Sequence, residues 1–207
     1  MKKVILSLIV LLVIFGSCKN DTSKKVEGQK STTEEVKVEK KAVDSPNYIQ
    51  EGVKIAKSTG KTLKGKLKAA IHEGGLVNGI KVCNVTAQKL MDSMSVVHNV
   101  KIKRTSLKLR NLKNAAPNQE ELAILSQYHK QIAQGNQIKP IVKEAKDEIH
   151  FFAPIFIDKV CLNCHGVIGQ DIKPETYKEV KKFYPKDEAI NYKEGDLRAI
   201  WSIVMKK

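Results

Sequence analysis

Arginine is almost missing from this chain. Of its 37 basic residues only Arg104, Arg110 and Arg198 are arginines, and the rest are lysines. Aromatic residues are scarce as well, at 5% of the sequence, and no basic cluster is interleaved with them. A guanidinium-rich, base-stacking face for nucleic acid is therefore not encoded. The net charge of +15 reads instead as a solvated lysine surface that favours anionic partners or lipid headgroups. The apolar run from Val4 to Phe15 is too short to span a bilayer comfortably. The chain has a single Cys-x-x-Cys, with no second copy and no His-x-x-x-His, which leaves a zinc site two ligands short. No βαβ pattern surrounds that motif, which argues against a thioredoxin-like role.

What is present at that position is Cys161-Leu162-Asn163-Cys164-His165, the attachment signature of a c-type haem. Each thiol can add across one vinyl group of the porphyrin, giving two thioether bonds. The adjacent imidazole is then held where one of its nitrogens ligates the iron. Haem c, covalently attached through Cys161 and Cys164 with His165 on the metal, is the cofactor expected from this motif.

The N-terminus is consistent with such a site. Met1-Lys2-Lys3, the apolar run and Gly16-Ser17-Cys18 form a secretory signal that ends in a lipobox-like cysteine. The expected organisation is a lipoprotein signal peptide over 1–17, a flexible polar tether over 18–46 and one haem domain over 47–207. Cys18 is the lipidated residue, and the location is the periplasmic side of the inner or outer membrane. Bacterial c-type haem is attached outside the cytoplasm, so export and haem support one another. Three of the four cysteines then have tasks, and Cys83 is left unpaired.

The domain reads as helices followed by a small antiparallel sheet with helical connections, an α+β class. Apolar positions at helical spacing predict a helix from Tyr48 to Ile71, with Gly60 a candidate break, and a second from Leu76 to Met94 after Gly74-Gly75. Cys83 falls on the apolar stripe of the second. Val100 to Arg104 alternates as a strand. Asn118 caps a helix that ends at Gly135-Asn136. Ile138–Ala145 and Glu148–Ile157 are strands joined by a turn at Lys146-Asp147. Pro174–Phe183 is a short surface helix, and Leu197–Met205 is the last strand.

An iron with one histidine has either an open face or a sixth ligand. The candidates are Cys83, His72, His98, His129, His150, Met91 and Met94. His98 sits in a polar connection expected to be exposed, and the two methionines fit core packing. His72, ahead of the glycine pair, is the strongest rival to Cys83. Arg104 and Arg110 are candidate partners of haem propionates, because a guanidinium fork matches a carboxylate; general surface pairing is their competing role. Phe151, Phe152, Pro154 and Ile155, just before the motif, are candidate haem walls.

Four segments together resemble one family. They are Gly79-Ile80-Lys81-Val82-Cys83, Lys103-Arg104-Thr105-Ser106-Leu107-Lys108-Leu109-Arg110-Asn111, Cys161 to Gly166, and Gly195-Asp196-Leu197-Arg198-Ala199. Over about residues 48–207 the chain is similar to the PAS-like single-haem c-type cytochromes, which occur alone or as the sensing part of histidine kinases. The resemblance implies a PAS-like antiparallel sheet and iron held by the motif histidine and a helix cysteine, at the position of Cys83. Ala199 departs from the family, which more often has glycine there.

A thiolate ligand favours ferric iron and a low potential. Its release on reduction would open a position for a diatomic gas. The leading functional expectation is thus a membrane-tethered redox or small-gas sensor, which needs a protein signalling or redox partner because no output domain is attached. A single-haem electron carrier is the alternative. A peroxidase-like enzyme is a third class, and no distal acid/base pair marks it in the sequence.

Overall fold

The computed structural model describes residues 45–112 and 116–207; the signal, Cys18 and most of the tether lie outside them. The first element, α1 (Ser45–His98), is a helix in two arms, broken where Gly74 and Gly75 leave helical geometry. Gly75 sits at φ 70° and ψ −171°, a conformation essentially confined to residues without a Cβ. The predicted division at the glycine pair is present, whereas the helix runs through Gly60 without interruption. Gly79 lets the arms close on each other. A Cβ there would come within 2.7 Å of Ile71 Cγ1 and 3.2 Å of Leu67 Cδ1.

Four strands follow: β1 (Lys101–Thr105), β2 (Ile141–Glu144), β3 (Glu148–Phe156) and β4 (Leu197–Lys206). They form one antiparallel sheet in the order β1-β4-β3-β2. Helix α2 (Gln119–Ala133) lies between β1 and β2 in the chain, and its Asn118 cap forms a complete capping box with Glu121. The β2 strand starts at Ile141 rather than Ile138, directly after Pro140, which has no N–H to donate to the ladder. A short 3-10 turn (Lys159–Cys161) runs into the single-turn helix α3 (Leu162–His165), and α4 (Pro174–Phe183) follows.

The sheet is covered on both faces. On one side Ile55, Ala56, Leu90 and Met91 of α1 pack on Ile149, Phe151, Ala153, Trp201, Ile203 and Met205. On the other, Ile124, Leu125 and Tyr128 of α2 pack on Phe152, Leu197 and Ile200. The period-two alternation of β3 thus sends Phe151 and Phe152 to opposite cores. Helix α4 buries Val180 against Ile80 of α1, so it is not merely a surface helix. The architecture is the α+β one expected. Among the described residues no helix is long and apolar enough to cross a membrane.

Candidate functional site

The motif turn owes its position to contacts from outside itself. Three consecutive carbonyls of the turn are each taken by a distant segment. Arg110 Nη2 donates to Cys164 O at 2.5 Å, Tyr192 N to His165 O at 3.0 Å, and Asn191 N to Gly166 O at 2.9 Å. Asp187 organises the strap that does this. Its Oδ1 accepts from Ala189 N at 2.9 Å and from Arg110 Nε at 3.1 Å, while Oδ2 accepts from Arg110 Nη2 at 3.2 Å. Arg110 Nη2 also donates to Ala189 O.

The His165 ring is oriented by the same strap. Its Nδ1 lies 2.7 Å from Ala189 O. A carbonyl only accepts, so the proton of a neutral ring is on Nδ1 and the lone pair is on Nε2. Burial first, and then the Arg110 and Arg198 guanidiniums, hold the pKa of this imidazole well below its ordinary value. At neutral pH the ring is therefore uncharged, the form that ligates a metal. A carbonyl on the far nitrogen is the usual companion of a metal-binding histidine. The Tyr192 ring meets it edge-on, with 6.3 Å between centroids.

Cys83, Cys164, His165 and Arg110 line one cavity, although they come from the second arm of α1, the motif turn and the segment after β1. Leu67, Ile71 and Leu76 form its apolar wall, and Tyr184 of the α4 end closes it. Burial pushes the Cys83 thiol up, and Arg104 and Arg110 act against that rise. The Cys164 thiol is likewise raised, chiefly by burial. Cys161 turns elsewhere and packs beside Ile157, Ala189 and Tyr192.

Arg104 extends from β1 with its Nε buried and without a hydrogen-bond partner. Its guanidinium carbon sits 5.8 Å from the centre of the Trp201 ring. Burial lowers its pKa, and the largest opposing influence is Cys83. Arg198 of β4 donates to Ser106 Oγ at 2.9 Å and to Lys108 O at 3.1 Å, and its guanidinium lies 5.5 Å from the Tyr192 ring centre. The three arginines of the chain thus act on one histidine.

The other sequence candidates are elsewhere. His72 is exposed and outside the cavity lining, as is His129. His98 is half-buried, not exposed as expected, because Ser58 Oγ lies 3.3 Å from its Nε2. His150 pairs with Glu120 at 2.6 Å. Met91 is buried in the core and Met94 packs against it. Phe151 stands over Gly52 in the core between sheet and α1, where a Cβ on Gly52 would fall 2.3 Å from its ring. Neither Phe151 nor Pro154 lines the cavity. They are close to the motif in sequence, but β3 carries them away from the turn.

Asp187, Ala189, Tyr184 and the Leu67/Ile71 wall went unnoticed in the sequence. A loop carboxylate and a backbone carbonyl carry no motif. Arg198 has two signals in the sequence: it is one of three arginines in a chain whose other basic residues are all lysine, and it lies in the Gly195–Ala199 segment.

No curated protein matches the chain. Among solved structures it is similar to the crystal structure of the cyanobacterial haem protein Tll0287, with a TM-score of 0.58 and 20% identity, over 78% of this chain and 96% of that one. At that identity the likeness speaks for the fold, which is the same α+β arrangement. The Tll0287-like family matches residues 22–206, nearly the whole sequence, and the chain belongs to that family.

Proposed function

We propose that the chain binds one haem, which Cys161 and Cys164 would attach covalently and whose iron His165 and Cys83 would ligate. The observation that carries this reading is the cavity that gathers Cys83, Cys164 and His165, with the His165 Nε2 lone pair left free by the Ala189 bond. The family relation to a haem protein supports it. The residues fit the group chemically: two thiols on one turn, a neutral imidazole, a third thiol across the cavity, and a buried cationic Nε lacking a partner. In size, the cavity is narrower than a porphyrin. Leu67, Ile71 and Leu76 lie on the two arms either side of Gly75, so parting those arms is what admits the ring.

A bound haem supplies a one-electron iron couple and a position where ligands exchange. The chain's own residues would do the rest. Asp187 fixes Arg110, Arg110 and Ala189 fix the motif turn and the ring of His165, and Arg104 offers its cation to a propionate. Cys83 would be the ligand freer to leave, because it lies on a separate helix arm and is not part of the strapped turn. The functional reading is a redox or small-gas sensor, held at the envelope membrane by lipid on Cys18. A single-haem electron carrier is the second reading, favoured by a motif turn whose Val160 is 54% exposed.

The test is extraction of the denatured protein with acidified acetone. Haem that stays on the polypeptide, with the absorption of a c-type haem, is expected; haem that extracts freely sinks the assignment. Cys18→Ser is expected to leave a precursor without lipid, and unchanged membrane attachment would remove the tether from the proposal.

A further inference from the structure

Five lysines of the first arm of α1, Lys54, Lys57, Lys61, Lys64 and Lys68, are spaced alternately three and four residues apart, and all are exposed. At 100° per residue they fall within an arc of about 80° and along a ridge of about 21 Å. No acidic residue interrupts the arm between Glu51 and Glu73. Lys64 Nζ meets Asp158 Oδ2 at 2.6 Å. Among the described residues the other four have no ion-pair partner. A ridge of uncompensated like charge costs self-repulsion, so its presence along one face calls for an explanation.

Two placements give the ridge a direction. Asp158 precedes the motif turn by a single 3-10 turn, so the Lys64 bridge fastens the ridge beside the haem-attachment cysteines. The apolar face next to it carries Leu67 and Ile71, which wall the cavity of Cys83 and His165. Where ridge and turn meet, Lys159, Val160, Leu162, Asn163 and Asp171 line an open depression. A small apolar spot beside a ridge of positive charge is the anatomy of a brief electrostatically steered encounter.

We propose that this face docks an acidic one-electron redox protein beside the motif turn. The inference rests on the haem reading above. One electron passes between the partner and the iron, one centre being oxidised as the other is reduced, and no bond forms or breaks. An anionic lipid surface would also attract lysines. A lipid surface gives no reason for the ridge to be tied to the motif turn through Lys64, and Asp158 and Asp171 there supply a register that a fluid headgroup layer does not read.

The test removes four charges, Lys57→Gln, Lys61→Gln, Lys64→Gln and Lys68→Gln, from the haem-loaded chain. The control removes four elsewhere, at Lys130, Lys139, Lys143 and Lys146. Poly-L-glutamate, titrated by calorimetry at low salt, stands in for the acidic partner. The ridge variant should bind it at least tenfold more weakly than the control. Oxidation of the reduced protein by ferricyanide should slow at least threefold in the ridge variant, and that by hexaammineruthenium(III) should not. Equal losses in ridge variant and control would reduce the effect to net charge and overturn the proposal. Loss of binding to phosphatidylglycerol vesicles by the ridge variant in a Cys18→Ser background, with ferricyanide rates unchanged, would assign the face to lipid and also overturn it. If no covalent haem forms, the haem reading fails visibly on a haem stain, and the docking of a redox partner falls with it.

Discussion

Arg110 and Asp187 meet through two nitrogen–oxygen pairs at 3.1 and 3.2 Å, and the Asp187 side chain is wholly withdrawn from solvent. The pair is separated by 77 residues in sequence. It joins the segment after β1 to the strap that orients His165, so one contact holds two sides of the site.

Removing the carboxylate leaves a buried guanidinium without its counter-charge. Asp187→Ala should therefore cost about 3–5 kcal/mol, read as a lower urea midpoint. Arg110→Lys should not preserve the site, because an ammonium cannot serve two carboxylate oxygens and the Cys164 carbonyl in the same fork geometry. A urea midpoint unmoved by Asp187→Ala would show that the pair is not structural.

Arg104 makes the opposite kind of prediction. Its Nε is buried without an acceptor, and an unsatisfied buried donor costs about 1–3 kcal/mol. Contact with Trp201 returns part of that. Arg104→Met should accordingly be neutral or stabilising in the haem-free protein and destabilising in the loaded one. Thermal melts of the two forms give the sign directly. A loss of stability in both would mean that Arg104 serves packing rather than a propionate.

Cys83 and His72, the two candidates for a second ligand on a proposed haem iron, have different surroundings. Cys83 lines the cavity and His72 is exposed outside it. Cys83→Ala should abolish a low-spin thiolate signal in electron spin resonance of the ferric protein and raise its midpoint potential. His72→Ala should change neither. The reverse pattern would assign bis-histidine ligation.

Phe151 tests the boundary between core and site. It is fully buried against α1, so Phe151→Ala should cost about 3–5 kcal/mol in unfolding free energy while the visible spectrum of the loaded protein keeps its band positions. A shifted spectrum with little loss of stability would restore the residue to the haem wall.

Elements set by local chemistry are readable in the sequence. Asn118 signals its own capping box, Gly74-Gly75 breaks a helical pattern, and Lys146-Asp147 joins two alternating runs. The Cys-x-x-Cys-His motif is readable because both thiols and the imidazole lie within one turn. The partners of that motif are not. Arg110, Asp187 and Ala189 act through tertiary contacts, and only Arg110 has a side-chain type that advertises a task. Phe151 was misplaced because nearness in sequence says nothing about which face of a strand a residue takes. That depends on a register fixed by β4, which pairs Phe151 with Ile203 and Ala153 with Trp201.

The position of β4 has a consequence for how the molecule comes into being. It is the most C-terminal of the described elements and an inner strand of the sheet, bonded to β1 on one side and β3 on the other. Its residues Ile200 and Ile203 belong to the two opposite cores. Until that stretch exists, β1 and β3 have no common neighbour, neither core can close, and the closing contacts span about a hundred residues, as at Lys101 and Val204. Assembly that waits on such distant pairings is slow. A chain that grows from its N-terminus therefore cannot close either core before β4 has emerged, although the helices and the β2–β3 pair are already made.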